Sequence, residues 1–174
     1  FVNLARALIV DPDWPRKAAE GRDDELVPCM ACGGCFDQVV SSKPLSCALN
    51  PAGEASSDLA ATSPRDVLVV GSGPAGLAAA WVLSGAGHRV LLQERAPYPG
   101  GRWAMATALH GREDLAASLA SFVRRLERRG VRLETGTEAT PEAVAALSPD
   151  VLVLACGARP RAVEIPGIER HGNV

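Results

Sequence analysis

The sequence lacks the features that mark several classes of protein. It has no excess of basic residues, since 18 Lys and Arg stand against 20 Asp and Glu and the net charge is -2, which excludes the basic surface of a nucleic-acid binder. No charged segment followed by an apolar one stands near its start, so no signal peptide is indicated and we expect a cytoplasmic protein. It is not poor in apolar residues either. With 47% hydrophobic and 22% charged residues, its composition excludes a disordered or fibrous chain.

An uninterrupted hydrophobic run is also missing. Residues 67–87 carry no charge and are long enough to cross a bilayer, but glycines, serines and a proline break the stretch. Several of these breakers cluster near its front, where a strand would turn into a helix. We therefore expect a buried strand, turn and helix here, and no membrane segment.

Length and composition divide the chain into parts. A length of 174 residues suggests one domain and part of another, and both ends look cut, so we expect a fragment of a longer protein. Residues 1–21 are predicted to form a strand-like piece at Phe1 to Leu4 and a helix near Asp13 to Glu20. Residues 22–50 are rich in cysteine and show neither helical nor strand periodicity. Residues 51–65 have the Ala, Ser, Gly and Pro content of a linker.

Residues 66–174 alternate between strand and helix patterns. Short apolar runs predict strands at 67–70, 89–93, 131–134 and 151–154, and longer segments predict helices at 74–83 and 112–129. The longer helix has one apolar stripe, made of Leu115, Leu119, Phe122, Val123 and Leu126. The four arginines near its C-terminal end are expected on the solvated face: Arg124, Arg125, Arg128 and Arg129. Strands that alternate with helices favour an α/β fold with a parallel sheet.

Four of the five cysteines form the strongest pattern in the chain. Cys29, Cys32, Cys35 and Cys47 are separated by two, two and eleven residues. Three closely spaced thiolates can bind three corners of a cubane while a later one binds the fourth, so the spacing favours a 4Fe-4S cluster. Structural zinc is an alternative, although its ligands usually come as two separated pairs, and disulfides or unligated thiols are a further one. Cys156 follows an apolar strand and is expected to be a small buried core residue.

The second pattern is G-x-G-x-x-G at residues 71–76, which follows a predicted strand and opens a predicted helix. Gly71 would allow the tight turn, Gly73 the approach of backbone N–H groups to a pyrophosphate, and Gly76 close packing of helix on strand. Glu94, at the end of the next strand, would accept hydrogen bonds from ribose hydroxyls, which favours FAD or NAD over NADP at this site. The alternative is a glycine-rich turn that binds nothing.

Two weaker features follow. Gly100-Gly101-Arg102 would either bring backbone amides to the same dinucleotide or form an ordinary turn. His88, His110 and His171 share no ligand spacing, so we assign none of them to a metal or to acid-base chemistry, and His88 is expected in a surface turn.

Together these motifs resemble the iron-sulfur flavoenzymes of the 2,4-dienoyl-CoA reductase and trimethylamine dehydrogenase family, NADH:flavin oxidoreductases related to Old Yellow Enzyme. The resemblance runs in order along nearly the whole chain: Asn3-Leu4-Ala5-Arg6 with Asp11-Pro12-Asp13, the cysteine segment 29–47, Ser46 to Pro51 around the last ligand, and Val69 to Gly76. The gap of two residues between Cys32 and Cys35 looks more like the amine dehydrogenase branch. Cys156 departs from the Ala-Thr-Gly that this family usually has at residues 155–157.

The resemblance implies a fold class in four parts. Residues 1–21 would be the C-terminal end of a flavin-binding (β/α)8 TIM barrel, 22–50 a 4Fe-4S segment, 51–65 a linker, and 66–174 an incomplete Rossmann-like FAD/NAD(P)-binding domain with a parallel sheet. Arg6 would contact the phosphate of FMN, and the four cysteines would bind the cluster. The FAD or ADP site would be lined by the glycine turn and its neighbours: Gly71, Gly73, Pro74, Ala75, Gly76, Glu94, Arg95, Gly101 and Arg102.

The implied function is an electron relay from NAD(P)H and FAD through the cluster to FMN, which reduces an enoyl-CoA or enone type C=C bond. One alternative is an amine dehydrogenase that passes electrons from FMN through the cluster to an external acceptor, and another is a zinc-stabilised nucleotide-binding module without catalysis. Catalytic residues would lie outside this chain, so none is named, and the chain alone should neither retain FMN nor turn over substrate. The expected partners are a small-molecule substrate and a nicotinamide cofactor, and self-association stays open.

Overall fold

The structure, a computed structural model, describes residues 1–51, 63–159 and 161. Most of the predicted linker 51–65 lies outside these residues, as does His171. The described part contains no helix that is long and apolar enough to cross a membrane.

Four parallel strands form one sheet, as predicted. They are β1 (Asp66–Val70), β2 (Arg89–Glu94), β3 (Arg132–Thr135) and β4 (Val151–Leu154). Their order in the sheet is β3-β2-β1-β4, so β1 and β2 lie in the centre. The register aligns Val69 with Leu92 on one side and with Val153 on the other. All four strands therefore end at the same edge, where the loops that follow them meet.

Seven α-helices accompany the sheet within the described residues. They are α1 (Arg6–Val10), α2 (Trp14–Ala19), α3 (Gly34–Val40), α4 (Pro74–Gly85), α5 (Arg102–Thr107), α6 (Glu113–Arg128) and α7 (Pro141–Leu147), with a 3-10 turn at Asp23–Glu25. The predictions for α2, α4 and α6 are confirmed. Helices α1, α3, α5 and α7 are short and were not predicted.

The core lies between one face of the sheet and the helices α4 and α6. Val69 and Leu92 of the sheet and Leu77 of α4 are fully buried there. Helix α6 contributes Phe122 and Leu126, which are 2% and 1% exposed, so its predicted apolar stripe faces the core. Full burial of a side chain of this size stabilises the fold by about 1.5–3 kcal/mol.

The predicted solvated face of α6 is wrong for Arg125, which is half-buried, whereas Arg128 and Arg129 are exposed as expected. The Arg125 and Arg129 guanidinium carbons lie 4.0 Å and 3.2 Å from the centroid of the Trp81 ring. Arg129 also donates a hydrogen bond to the carbonyl oxygen of Trp81, at 3.0 Å. A flat guanidinium stacks well on an indole face, so both side chains lie over Trp81, although Arg129 stays exposed to water. Arg124 is exposed, as expected.

The amino-terminal residues also differ from the prediction. Residues 1–4 form neither helix nor strand, because a strand needs a neighbouring backbone and the described residues offer none there. The predicted helix near Asp13 is α2, with Pro15 in its first turn. A buried ion pair joins this region to the cysteine segment: Lys17 Nζ lies 2.8 Å from Asp11, and Asp11 accepts a hydrogen bond from the Val27 N–H at 3.2 Å.

Candidate functional site

The turn between β1 and α4 is built around two glycines that packing requires. Gly71 has φ +99, and a Cβ there would lie 2.5 Å from the carbonyl oxygen of Ala155. A Cβ at Gly76 would lie 1.8 Å from the carbonyl oxygen of Gly71. By contrast, a Cβ at Gly73 would meet nothing within 4 Å. The roles predicted for Gly71 and Gly76 thus fit the geometry, and open space stands over Gly73.

The Glu94 carboxylate is hydrogen-bonded to this turn. The Ser72 N–H and hydroxyl donate to its Oε2 at 2.8 and 2.9 Å, and the Ala96 N–H donates to its Oε1 at 2.9 Å. Burial raises the pKa of the Glu94 carboxyl, but these donors outweigh burial and hold its pKa below the ordinary value. The carboxylate is therefore ionised at neutral pH and fixes the position of Ser72.

The loop that holds Gly100 and Gly101 lies directly against the glycine turn. The Gly100 N–H donates to the Ser72 carbonyl oxygen at 3.0 Å. A Cβ at Gly101 would lie 3.1 Å from the Gly73 α carbon, which is tighter than an ordinary contact. Arg102 Nη2 donates to the carbonyl oxygen of Ala158 at 2.6 Å, so its side chain reaches the loop after β4. The structure thus brings both sequence motifs together.

A cavity of about 300 Å³ opens beside the turn, at the carboxyl ends of the strands. Gly71, Glu94 and Arg95 are among its lining residues, and Arg95 is exposed. The sequence analysis missed the lining residues that come from the loops after β3 and β4: Thr137, Glu138, Ala139, Gly157, Ala158 and Arg159. Their position directly after predicted strands is the signal that could have found them, since ligands of open α/β sheets bind at that edge.

The expectation of a buried Cys156 is wrong. Its side chain is exposed, lines the same cavity and lies 3.9 Å from the carbonyl oxygen of Val70. Strand β4 ends at Leu154, so Cys156 lies past the end of the strand and outside the core.

The four remaining cysteines line one cavity of about 600 Å³. Cys29 and Cys32 come from the loop before α3, Cys35 from the first turn of α3, and Cys47 from a tight turn that the Asn50 N–H closes onto the Cys47 carbonyl at 3.0 Å. Gly33 has φ +77 and directs the chain into α3 between the second and third cysteines.

Among the described residues, no three His, Cys, Asp or Glu side chains are arranged to hold a single metal ion. Burial raises the pKa of the Cys47 thiol, and the nearby Cys32 and Cys29 raise it further, so the fourth cysteine lies within electrostatic range of these two. Four soft sulfur donors are the ligand set of an iron-sulfur cluster and also of structural zinc, and three closely spaced cysteines with a distant fourth favour the cluster.

Arg6 and Ile9 line the cysteine cavity as well. Arg6 is exposed at the start of α1. The predicted site residues thus fall into two groups, Arg6 with the four cysteines and the glycine turn with Glu94, Arg95, Gly101 and Arg102.

Comparison with known proteins shows which family the chain belongs to. The sequence model of the pyridine nucleotide-disulphide oxidoreductases matches residues 65–174. The chain belongs to this family. A domain of this family is an oxidoreductase domain and implies FAD and NAD(P)H as cofactors.

Similar proteins extend the family assignment to the cysteine segment. The NADH oxidase of Thermoanaerobacter brockii is 38% identical over 179 residues, which cover 99% of this chain and 28% of the relative. Among solved structures, a 2-naphthoyl-CoA reductase complex has a TM-score of 0.85 and 32% identity, over 96% of this chain and 26% of its own. Histamine dehydrogenase from Rhizobium sp. 4-9 has a TM-score of 0.82 and 28% identity, over 95% of this chain and 27% of its own.

The chain therefore spans about a quarter of the length of the relatives that it matches. These comparisons confirm the family predicted from the sequence, that of the 2,4-dienoyl-CoA reductases and trimethylamine dehydrogenases.

Proposed function

We propose that the chain is part of an iron-sulfur flavoprotein oxidoreductase. It would relay electrons between NAD(P)H and FAD in the nucleotide domain and FMN in a barrel, through a 4Fe-4S cluster, and the whole protein would reduce an enoyl-CoA or enone type C=C bond. The observation that carries the proposal is that all four motif cysteines line one cavity in a chain of an oxidoreductase family.

The cysteine cavity would hold the cluster. Cys29, Cys32, Cys35 and Cys47 would be its four ligands, and the glycines before α3 allow the backbone to wrap closely around it. When bound, the cluster supplies one-electron transfer and FAD supplies hydride chemistry. The protein would supply position, exclusion of water and local charge.

The glycine turn would hold the pyrophosphate of FAD or ADP. The N-terminus of α4, with Pro74 and Ala75 exposed, faces the open space over Gly73. An ionised carboxylate has about four acceptor positions, and Glu94 uses three of them on Ser72 and Ala96. One acceptor position would remain for a ribose hydroxyl, which is consistent with the role predicted from the sequence.

Arg6 would contact the phosphate of FMN. We propose that residues 1–21 are the end of the flavin-binding barrel and that residues 51–65 join the cluster segment 22–50 to the nucleotide domain. Arg6 is exposed and lines the cysteine cavity, which supports a flavin bound close to the cluster. The chain alone would not retain FMN, because a phosphate site needs more donors than one exposed arginine.

An amine dehydrogenase is the second candidate. It would use the same cluster and pass electrons from FMN to an external acceptor. The two-residue gap between Cys32 and Cys35 and the likeness to a histamine dehydrogenase favour it. Assays of the whole protein with an enone and NADH, and with a methylated amine and an artificial electron acceptor, separate the two.

A zinc-stabilised nucleotide-binding module is the candidate from a different class. It would use the same four thiols, but structural zinc ligands usually come as two separated pairs, whereas Cys32 belongs to two overlapping C-x-x-C units. The cysteine spacing and the membership of an oxidoreductase family therefore favour the oxidoreductase.

Photoreduction of bound flavin tests the relay. The protein is loaded without oxygen with iron, sulfide and FAD, and the flavin is then reduced by light with a sacrificial amine donor. We expect the electron paramagnetic resonance signal of a reduced cluster to appear as the flavin absorbance falls. A fully reduced flavin beside a cluster that stays oxidised contradicts the relay. Gly73→Ala is the control, because its Cβ would enter the space for the pyrophosphate and would meet no protein atom within 4 Å.

A further inference from the structure

The guanidinium of Arg125 lies behind the turn that carries the fourth cysteine. The turn from Cys47 to Asn50 is closed by the Asn50 N–H on the Cys47 carbonyl at 3.0 Å. Arg125 Nη1 donates to the carbonyl oxygen of Leu49 inside this turn, at 2.9 Å. Leu49 is 1% exposed and Arg125 is half-buried, so the hydrogen bond is partly shielded from water. A residue of α6 in the nucleotide domain is thus joined to the cysteine segment two residues from a proposed ligand.

Arg125 brings a positive charge that no acidic residue neutralises directly. Within the described residues, no carboxylate lies within 4.0 Å of its guanidinium. Its neighbours are the Trp81 ring at 4.0 Å and the Phe122 ring at 5.5 Å. Burial lowers the pKa of Arg125 to about 10 and repulsion by Arg129 acts in the same direction, whereas the nearby Asp11 and Cys47 act against them. A group with this pKa is still a cation at neutral pH.

A fixed cation at this position has a consequence for a redox group that Cys47 binds. Reduction adds one negative charge to an iron-sulfur cluster, and charge interactions are stronger where the surroundings are apolar. Arg129 contributes less, because its hydrogen bond goes to Trp81 and not to the cysteine segment. Arg6 is exposed, so solvent screens its charge.

We propose that Arg125 is a positioning residue whose partly buried charge, held against the Cys47–Asn50 turn, raises the reduction potential of the cluster bound by the four cysteines. This inference rests on the proposed function. It assigns to the nucleotide domain a direct influence on how readily the cluster accepts an electron.

Redox titration of matched variants tests the inference. Arg125→Gln keeps a donor for the Leu49 carbonyl and removes the charge, whereas Arg125→Lys keeps the charge. Arg124→Gln removes a charge from the exposed neighbouring position on the same helix and is the control. The full chain is reconstituted anaerobically, its iron is counted, and the potential is read from the resonance signal of the reduced cluster.

We expect Arg125→Gln to lower the equilibrium constant for one-electron reduction about tenfold, which corresponds to 59 mV. Arg125→Lys and Arg124→Gln should stay close to the wild type. An Arg125→Gln cluster with the wild-type potential overturns the inference. If Arg125→Gln does not retain iron, Arg125→Lys decides: a retained cluster at the wild-type potential supports a role for the charge, and a lost cluster shows that Arg125 is only a structural clamp. A wild-type chain that takes up no iron refutes the proposed function itself.

Discussion

The Gly71 carbonyl oxygen and the Gly76 α carbon approach so closely that a Cβ on Gly76 would lie 1.8 Å from that oxygen. The first turn of α4 is therefore packed directly on the end of β1, with no side chain between them. Gly73, the residue directly before α4, has no such neighbour. This difference separates a structural glycine from one that leaves room for a ligand.

Alanine at these two glycines should have opposite effects. Gly76→Ala should lower the free energy of unfolding by at least the 1–3 kcal/mol typical of overpacking, about the cost of moving backbone atoms apart. Gly73→Ala, at φ -63, should leave stability unchanged or raise it by about 0.4–1 kcal/mol, because it restricts the unfolded chain. Urea unfolding followed by circular dichroism measures both.

Binding of ADP by calorimetry completes this comparison. Gly73→Ala should weaken ADP binding although it folds normally, since its methyl group enters the space assigned to the pyrophosphate. Equal destabilisation by the two alanines, or unchanged ADP affinity in Gly73→Ala, contradicts the assignment.

The hydrogen bonds to Glu94 predict a pH dependence of stability. Its pKa is lower in the folded chain than in the unfolded one, so the group stabilises the fold above the unfolded-state pKa of about 4.3. That contribution is lost as the pH falls through the folded-state pKa. Glu94→Gln should cost about 1–3 kcal/mol at neutral pH, because an amide cannot accept both sets of hydrogen bonds.

The variant should also lose part of the wild-type decline in stability below about pH 4.3. Urea midpoints measured from neutral to acid pH give this slope. Glu127→Gln, on the exposed side of α6, is the control and should keep the wild-type slope. The same slope in Glu94→Gln as in the control would rule out the assigned role.

The stacking of Arg129 on Trp81 should contribute to stability. The guanidinium carbon lies 3.2 Å from the ring centroid, and burial lowers the pKa of Arg129. Arg129→Met should lower the free energy of unfolding by about 0.5–2 kcal/mol, since it removes a cation from an aromatic face and a hydrogen bond. Arg124→Met, at an exposed position, should change it by less than about 0.5 kcal/mol. Thermal unfolding of the two variants gives the difference, and equal values would contradict the stacking.

The sheet and the long helices could be predicted because their sequences carry a strong periodic signal. Val67 to Val70 is an unbroken β-branched and leucine run, which is typical of a strand buried on both faces. The stripe through Phe122 and Leu126 recurs at helical spacing. In both segments burial and local propensity agree.

The short helices could not be predicted, because they bury little. In α3, Phe36, Val39 and Val40 are 71%, 63% and 68% exposed, so no apolar stripe marks the helix. The prediction for Arg125 of α6 was wrong for a different reason. Charge alone suggests a solvated face, and only the ring of Trp81, far away in sequence, draws Arg125 towards the core.

The candidate site was predicted unevenly. The cysteine and glycine motifs are local in sequence, so their residues could be named in advance. The loops after β3 and β4 carry no motif, and only the sheet brings Thr137 and Gly157 to the same edge as Gly71. Cys156 was misplaced, because the sequence does not show where the strand ends relative to the core.

The iron and acid-labile sulfide content after anaerobic reconstitution tests the central claim most directly. With all four cysteines around one cavity, we expect about four irons and four sulfides per chain and a broad absorbance near ~400 nm. Cys47→Ser should lower both counts, and Cys156→Ser, in the other cavity, should not. A colourless chain without iron, or one that binds a single zinc ion and shows no such absorbance, contradicts the account.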